Sequence, residues 1–274
     1  MSAASAVHRA AALLGAEVAE ARPLHGGDLS EVVRLRLADG RSAVAKSVAR
    51  TGPTARAEAE MLEAIAAAGA PAPAVLAVDD DVLVMEDLGD ETGLSDAWGA
   101  LGAALATLHA DTGDAYGWPR DHAFGPVAIP NAPADSWPDF WAERRLLPAV
   151  PHLPAPLSRR VEMLAARLPD LLPERPPAAL LHGDLWTGNV MARGTRLLGL
   201  IDPACYRGHA EVDLAMLHLF GQPGPAFRDA YGPPEPGEQA RRPVYTLWPA
   251  LVHLRLFGSS YRGLVEGCLD AAGA

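Results

Sequence analysis

The sequence predicts an α+β chain of two lobes, with a small antiparallel sheet and one key helix first and a larger, mainly helical lobe second. Three observations lead there. LHGGDLSEVVRLRLADGRSAVAKSV alternates apolar and polar residues on both sides of Ala38-Asp39-Gly40, and Asp-Gly between β-type runs signals a hairpin. A single helical pattern follows at Arg56–Ala68, and then VLAVDDDVLVMEDL supplies two more short strands around an acidic turn. Beyond Leu88 helical spacing dominates, which divides the chain into a first lobe at 1–87 and a second at 88–274.

Taken in order, Ala3 to Glu20 reads as a short amphipathic helix ahead of the first hairpin. The Arg56–Ala68 helix is stopped by Gly69 and by Pro71 and Pro73. Leu94–His109 is a helix with Leu101, Leu105 and Leu108 on one face. Gly113–Pro138, rich in Pro, Gly and aromatics, reads as an irregular covering segment, and Trp137–Val150 and Ser158–Leu168 read as helices. LLHGDLWTGNV is a strand running into a loop, and NVMARGTRLLGLID is strand, glycine turn, strand. Helices resume at Val212–Phe220, Pro225–Ala230 and Glu238–Leu256. No internal repeat or low-complexity tract interrupts this order.

Composition narrows the function. Of 274 residues 49% are hydrophobic and 21% charged, enough apolar material for a real core. A formal charge of −11 argues against a nucleic-acid partner, which needs clustered Lys and Arg, and it tolerates a cationic ligand. Cys205 and Cys268 make neither a disulfide framework nor a metal spacing and are expected to be two small buried thiols. The apolar run before Glu17 is short for a secretory leader, and no segment approaches the ~18 apolar residues that cross a bilayer. A cytoplasmic enzyme with no membrane partner is the expectation; the number of subunits is not legible.

The chemistry lies in the loop. Asn189 follows Asp184 by five positions, and Asp202 stands thirteen further on, at the other end of the hairpin that Asn189 begins. Hairpin ends lie close together, so an amide oxygen and a carboxylate there are placed to share a hard cation such as Mg²⁺. Asp184, at the start of the loop, is placed to take a proton from an attacking hydroxyl. Any one of these residues reads equally as a turn former; three at this spacing match the catalytic loop of ATP-dependent kinases and its metal-binding Asp. Such chemistry also needs a cation for the phosphates of ATP. Lys46, in the apolar strand AVAKSV, is costly to bury unless paired, with Glu58 as its partner and Glu60 as the alternative. Gly26, Gly27, Leu29 and Ser30 form the turn whose backbone N–H groups approach phosphate, and Glu86 and Leu88 stand where the lobes join and backbone groups can meet an adenine edge.

These segments carry a resemblance. LLHGDLWTGNV followed by LIDPACYRGHAEVDLAMLHLFG resembles the signature of the fructosamine kinase (ketosamine 3-kinase) family, and GGDLS, AVAK, VLVMEDL, SWPDFWAERRL and YTLWPALVHLRLFGSSYR resemble its other segments, so that nearly the whole chain is covered. The resemblance implies the bilobal protein-kinase-like fold shared with aminoglycoside and choline kinases. It also implies an ATP-dependent, deglycating kinase of ketosamines, the fructosamine or ribulosamine adducts of small amines or proteins. Asp184 is then the catalytic base, Asn189 and Asp202 the Mg²⁺ ligands, and Lys46 with Glu58 the phosphate-orienting ion pair. Trp186 packs on the sugar, and His253 lines the same pocket, although Val252 precedes it where the family usually has Asn. Asp28 departs from the usual small or sulfur residue of the glycine turn and is expected to point away from phosphate. The competing reading is another small-molecule kinase of the same fold. A catalytically dead binding module is a third, but such proteins lose the Lys, the base or a metal ligand, and this chain keeps them all.

The remaining polar residues are expected to support the site. His182 braces the loop, and Asp213 caps or anchors a helix beneath it, while His209 and Glu211 fit substrate contact and structural support equally. Gly183 occupies the position where regulated protein kinases carry an Arg that pairs with a phosphorylated loop, and few residues separate Asp202 from the next helix. Constitutive competence is expected.

Overall fold

The chain begins with a helix, α1 (Ala3–Leu14), that is shorter than its pattern suggests. Gly15 takes φ +59°, closes the helix, and hands the chain to an unforeseen strand, β1 (Val18–Leu24). That strand pairs on one side only, which is why it tolerates Pro23. The computed structural model describes residues 3–24, 30–48, 54–91 and 93–274. Next come β2 (Glu31–Leu37), β3 (Ser42–Ser47), α2 (Ala55–Ala67), β4 (Val75–Val78) and β5 (Val82–Glu86). The sheet is antiparallel throughout, in the order β1-β2-β3-β5-β4, with Lys46 opposite Val32 on one side and Leu83 on the other.

Period two decides which side chains meet. Ala43 and Ala45 of β3 join Val33, Leu35, Val82, Val84 and the α1 residues Ala6 and Ala10 in one buried cluster. Val44 joins Leu83, Met85 and the α2 residues Ala55, Ala59 and Leu62 in another. Lys46 shares the parity of Val44, so the same alternation that builds these layers aims its side chain at α2.

The second part is built from α3 (Trp98–Ala110), β6 (Thr112–Gly113), the small hairpin β7 (His122–Phe124) and β8 (Val127–Ile129), α4 (Trp137–Trp141) and α5 (Ala155–Leu171). Then follow β9 (Ala178–Leu181), β10 (Val190–Arg193), β11 (Arg196–Leu200), β12 (Tyr206–Gly208), α6 (Glu211–Phe220), α7 (Pro225–Tyr231), α8 (Glu238–Phe257) and α9 (Arg262–Ala271). The expected helix over Trp137–Val150 breaks into α4, a π turn at Ala142–Leu146 and a 3₁₀ turn at Leu147–His152. Pro148 and Pro151 lack the N–H groups an α-helix needs there. Arg145 is fully buried in this stretch, its guanidinium 4.0 Å from the Tyr206 ring centroid and bonded to Pro130 O and Asn131 Oδ1. The covering segment is less irregular than expected, since it holds the β7–β8 hairpin. The helix α9, which no pattern suggested, packs against α8.

One cluster joins the two parts. Met61 and Ile65 of α2 are buried with Leu101, Leu105 and Leu108 of α3 and with Leu180, Leu185, Val190 and Leu200 around the catalytic loop. The helix bearing Glu58 therefore seats directly on the loop bearing Asp184. Burying such side chains stabilises this junction by roughly 1.5–3 kcal/mol for each large residue.

Candidate active site

Lys46 is the hub of the site. Its Nζ donates to Glu58 Oε1 at 2.8 Å and to Asp202 Oδ1 at 2.8 Å, tying the sheet, α2 and the end of the β10–β11 hairpin together. Burial alone would lower its pKa; the carboxylates of Glu58 and Asp202 more than offset this and hold the ammonium protonated. The alternative partner, Glu60, faces away and pairs with Arg120 at 3.1 Å.

The loop after β9 is held from beneath. Asp213, inside α6 and fully buried, accepts from the backbone N–H of His182 at 2.7 Å and of Gly183 at 2.9 Å, and its Oδ2 lies 3.2 Å from His109 Nε2. It thus anchors the loop itself and does not cap the helix. The His182 Nε2–H donates to Ile201 O at 2.9 Å while its Nδ1 accepts from Asp184 N at 3.3 Å, so one neutral ring fastens the loop to the end of β11. Gly183 has φ +81°, and a Cβ there would lie 2.0 Å from Ala204 O. The absent arginine is thus a consequence of an absent Cβ: no side chain fits.

Asp184 faces outward from this brace. Asn189 Nδ2 donates both to Asp184 O at 2.8 Å and to Asp184 Oδ2 at 3.0 Å, which leaves the Asn189 amide oxygen free to turn towards a cation. Burial, with the charges of Asp202 and Asp213 added, pushes the Asp184 carboxyl up to about 7 against the opposing Asn189 bond. Asp202 is, among the described residues, the one non-glycine with positive φ, at 54°. Left-handed backbone at a non-glycine stores strain of order 1–3 kcal/mol, which is concentrated at functional positions. One Asp202 oxygen is on Lys46 and its side chain is 31% exposed, so the other oxygen remains available. An amide oxygen and a carboxylate oxygen fit the donor preference of Mg²⁺.

At the junction of the lobes, Glu86 N–H donates to Ala74 O at 2.8 Å, and its carboxylate accepts from Ala74 N at 3.3 Å. The Leu88 side chain lies against Gly199 of β11. Two arginines not foreseen from the sequence clamp this hinge: Arg34 bonds Asp87 at 3.0 Å and Asp90 at 2.7 Å, and Arg193 Nη2 donates to Asp90 O at 2.7 Å. Ser30 stands half-buried just before β2, while Gly26, Gly27, Asp28 and Leu29 lie outside the described residues.

Trp186 and His253 belong to one surface. The Trp186 ring lies over Gly188, where a Cβ would come within 2.2 Å of it, and meets Phe220 edge-on at 6.1 Å between centroids. Phe220 in turn lies 5.2 Å from His253. His209 and Glu211 serve the scaffold. Tyr245 accepts from Trp137 Nε1 at 2.9 Å and donates to His209 Nδ1 at 2.8 Å, and Arg241 binds both oxygens of Glu211. His209, Glu211 and Glu235 do gather ligand atoms within 4.8 Å of one another, but Arg241 supplies the cation there.

This constellation has counterparts. The profile of the fructosamine kinase family matches residues 1–272. The chain belongs to the fructosamine kinase family. A probable ketoamine kinase of Thermus thermophilus is 36% identical over 92% of this chain and 94% of its own length. One from Synechocystis is 40% identical over 66% of this chain, a match that spans 63% of that protein. A solved structure of a candidate fructosamine-3-kinase from Thermobifida fusca covers 99% of each chain at 36% identity with a TM-score of 0.89. Fructosamine kinases of this protein-kinase-like fold are ATP-dependent phosphotransferases.

Proposed function

We propose that this protein transfers the γ-phosphoryl group of ATP to a sugar hydroxyl of ketosamines, the fructosyl or ribulosyl adducts of amines, and acts as a deglycating kinase in the cytoplasm. Residues 1–87 serve as the nucleotide-binding lobe and 88–274 as the catalytic and acceptor lobe. The observation that carries the reading is the continuous network Glu58–Lys46–Asp202 beside Asp184–Asn189, opening onto a Trp186 ring that is 39% exposed.

In this reading Asp184 accepts the proton of the attacking hydroxyl, and Asn189 holds its carboxylate in line. Lys46, kept charged by Glu58, orients the α/β-phosphates, and Gly26, Gly27, Leu29 and Ser30 are the residues assigned to phosphate contact. The Glu86 carbonyl and the Leu88 backbone meet the adenine edge. Asn189 and Asp202 would hold Mg²⁺, which supplies charge neutralisation at the phosphates when bound. Trp186 packs on the sugar of the acceptor, and His253 lines the same pocket. Among the described residues no helix is long and apolar enough to cross a membrane; cell fractionation tests the cytoplasmic assignment.

The decisive experiment supplies the purified protein with ATP, Mg²⁺ and a panel of glycated lysines beside free fructose and ribulose. Ketosamines are expected to be the much better acceptors, and Trp186→Ala to raise KM for a glycated lysine strongly while KM for ATP barely moves. Equal use of free sugar and ketosamine would instead favour a general small-molecule kinase of the same fold.

A further inference from the structure

We infer that an aromatic strip running from Trp186 over Phe220 and His253 to Phe257 and Tyr261 is the subsite for the amine carrier of the acceptor, binding the protonated secondary amine and the apolar chain behind it; this rests on the ketosamine reading above. The rings form an unbroken path. Trp186–Phe220 centroids are 6.1 Å apart, Phe220–His253 5.2 Å, His253–Phe257 5.4 Å and His253–Tyr261 4.9 Å. They come from separate places in the chain, namely the catalytic loop, the end of α6, the end of α8 and the turn after it.

A structural cluster would be closed to water, as Trp137, Phe140 and Trp141 are. Here Trp186 is 39% exposed, Phe220 37% and Phe257 48%. Large apolar rings held open to solvent in mutual contact, beginning two residues from the base, have the character of a ligand surface. Ring faces attract positive charge, and a chain of net charge −11 tolerates a cation. Of the arginines on α8 and α9, Arg255 donates to Pro126 O and Arg262 is paired with Glu266. His253 adds an acceptor. Its Nδ1–H donates to Pro249 O at 2.7 Å, so the Nε2 lone pair is left outward, and burial lowers its pKa, which keeps the ring neutral.

Reach agrees with this assignment. In a ketosamine the nitrogen sits two carbons beyond the hydroxyl-bearing C3, roughly 4 Å away at ordinary bond lengths. With that hydroxyl at Asp184, the nitrogen and its carrier extend towards the strip that begins at Trp186, two residues along the chain.

The test uses two acceptors with the same sugar, the N-methyl and the N-hexyl ketosamine. The wild-type protein is expected to prefer the hexyl adduct in kcat/KM by about tenfold, and Phe220→Ala or Phe257→Ala to cut that preference to about two- to threefold. Met163→Ala, which removes an exposed apolar side chain on α5, should leave the preference in place. Absence of any preference in the wild type, or a Phe257→Ala loss equal for both adducts, overturns the carrier subsite while the ketosamine reading stands. If the wild type phosphorylates neither adduct, both fall together.

Discussion

Replacing Gly183 with Ala tests the architecture of the loop more sharply than removing any catalytic group. The substitution adds one methyl at φ +81°, a conformation that costs an L-residue about 1–2 kcal/mol. That methyl would stand 2.0 Å from Ala204 O and 2.7 Å from Ala204 C, and this is backbone that cannot rotate aside. Relief requires parting the loop from the segment after Asp202, at the expense of the 2.8 Å bond from Ala204 N to His182 O, and overpacking of this kind costs about 1–3 kcal/mol. Flipping the residue to negative φ instead breaks the N–H bond to the buried Asp213 carboxylate, worth about 1.5–3 kcal/mol. The first route costs about 2–5 kcal/mol and the second about 1.5–3 kcal/mol, so urea unfolding should show a loss of at least about 1.5 kcal/mol. Both also shift Asp184 relative to Asp202, and a misplacement near 1 Å is enough to lower kcat about a hundredfold. Gly40→Ala is the control, since it has φ +88° with nothing within 4 Å of its Cβ, and it should show the conformational cost alone. If Gly183→Ala matches Gly40→Ala in stability and keeps wild-type kcat, the close approach of Ala204 has no role in the site.

Three further outcomes are expected. Asp184→Asn should leave ATP binding nearly intact and cut turnover at least about a hundredfold, as loss of a general base does, whereas Asp202→Ala should lose Mg²⁺-dependent nucleotide binding as well. The same Asp184→Asn variant carries a pH signature in the metal-free protein. A carboxyl raised to about 7 in the fold stabilises below its unfolded pKa, and that contribution drains away as pH rises through 7. The variant should therefore melt higher than wild type at pH 8, by on the order of 1–2 kcal/mol once solvent screening of this partly exposed group is allowed for, and by less at pH 5; an equal difference at both pH values would refute the burial argument. Finally, phosphatase treatment should leave the rate unchanged, and a large loss after dephosphorylation would show a switch that this loop is argued to lack.

What could be read from the sequence was local. Asp184, Asn189 and Asp202 lie on one loop and one hairpin, so spacing alone brought them together, and a lysine in an apolar strand demanded a partner before any partner was visible. The choice between Glu58 and Glu60 was set by which face of α2 meets the even-numbered side of β3, a tertiary fact. β1 escaped notice because its polar, edge-strand character mimics the tail of an amphipathic helix once Gly15 is overlooked. Phe220, Phe257 and Tyr261 gave no signal at all, since an aromatic residue near a helix end reads as core until exposure and contact are known.

Gly183 gains from the structure a reason that the sequence did not hold. In the sequence it marks a missing arginine, and hence an expected lack of control by phosphorylation. The structure adds that the chain leaves Asp202 and pairs Tyr206 with Leu181 of β9 only four residues later. The segment that regulated kinases leave free to switch is here stitched into the sheet that leads to Asp184. Gly183 permits that stitching because only a residue without Cβ lets the Ala204 carbonyl come so close. The Lys46–Glu58 pair is closed as well, at 2.8 Å. The ion pair, the loop brace and the β10–β11 hairpin all form from packing, which is the ground for expecting a rate independent of phosphorylation.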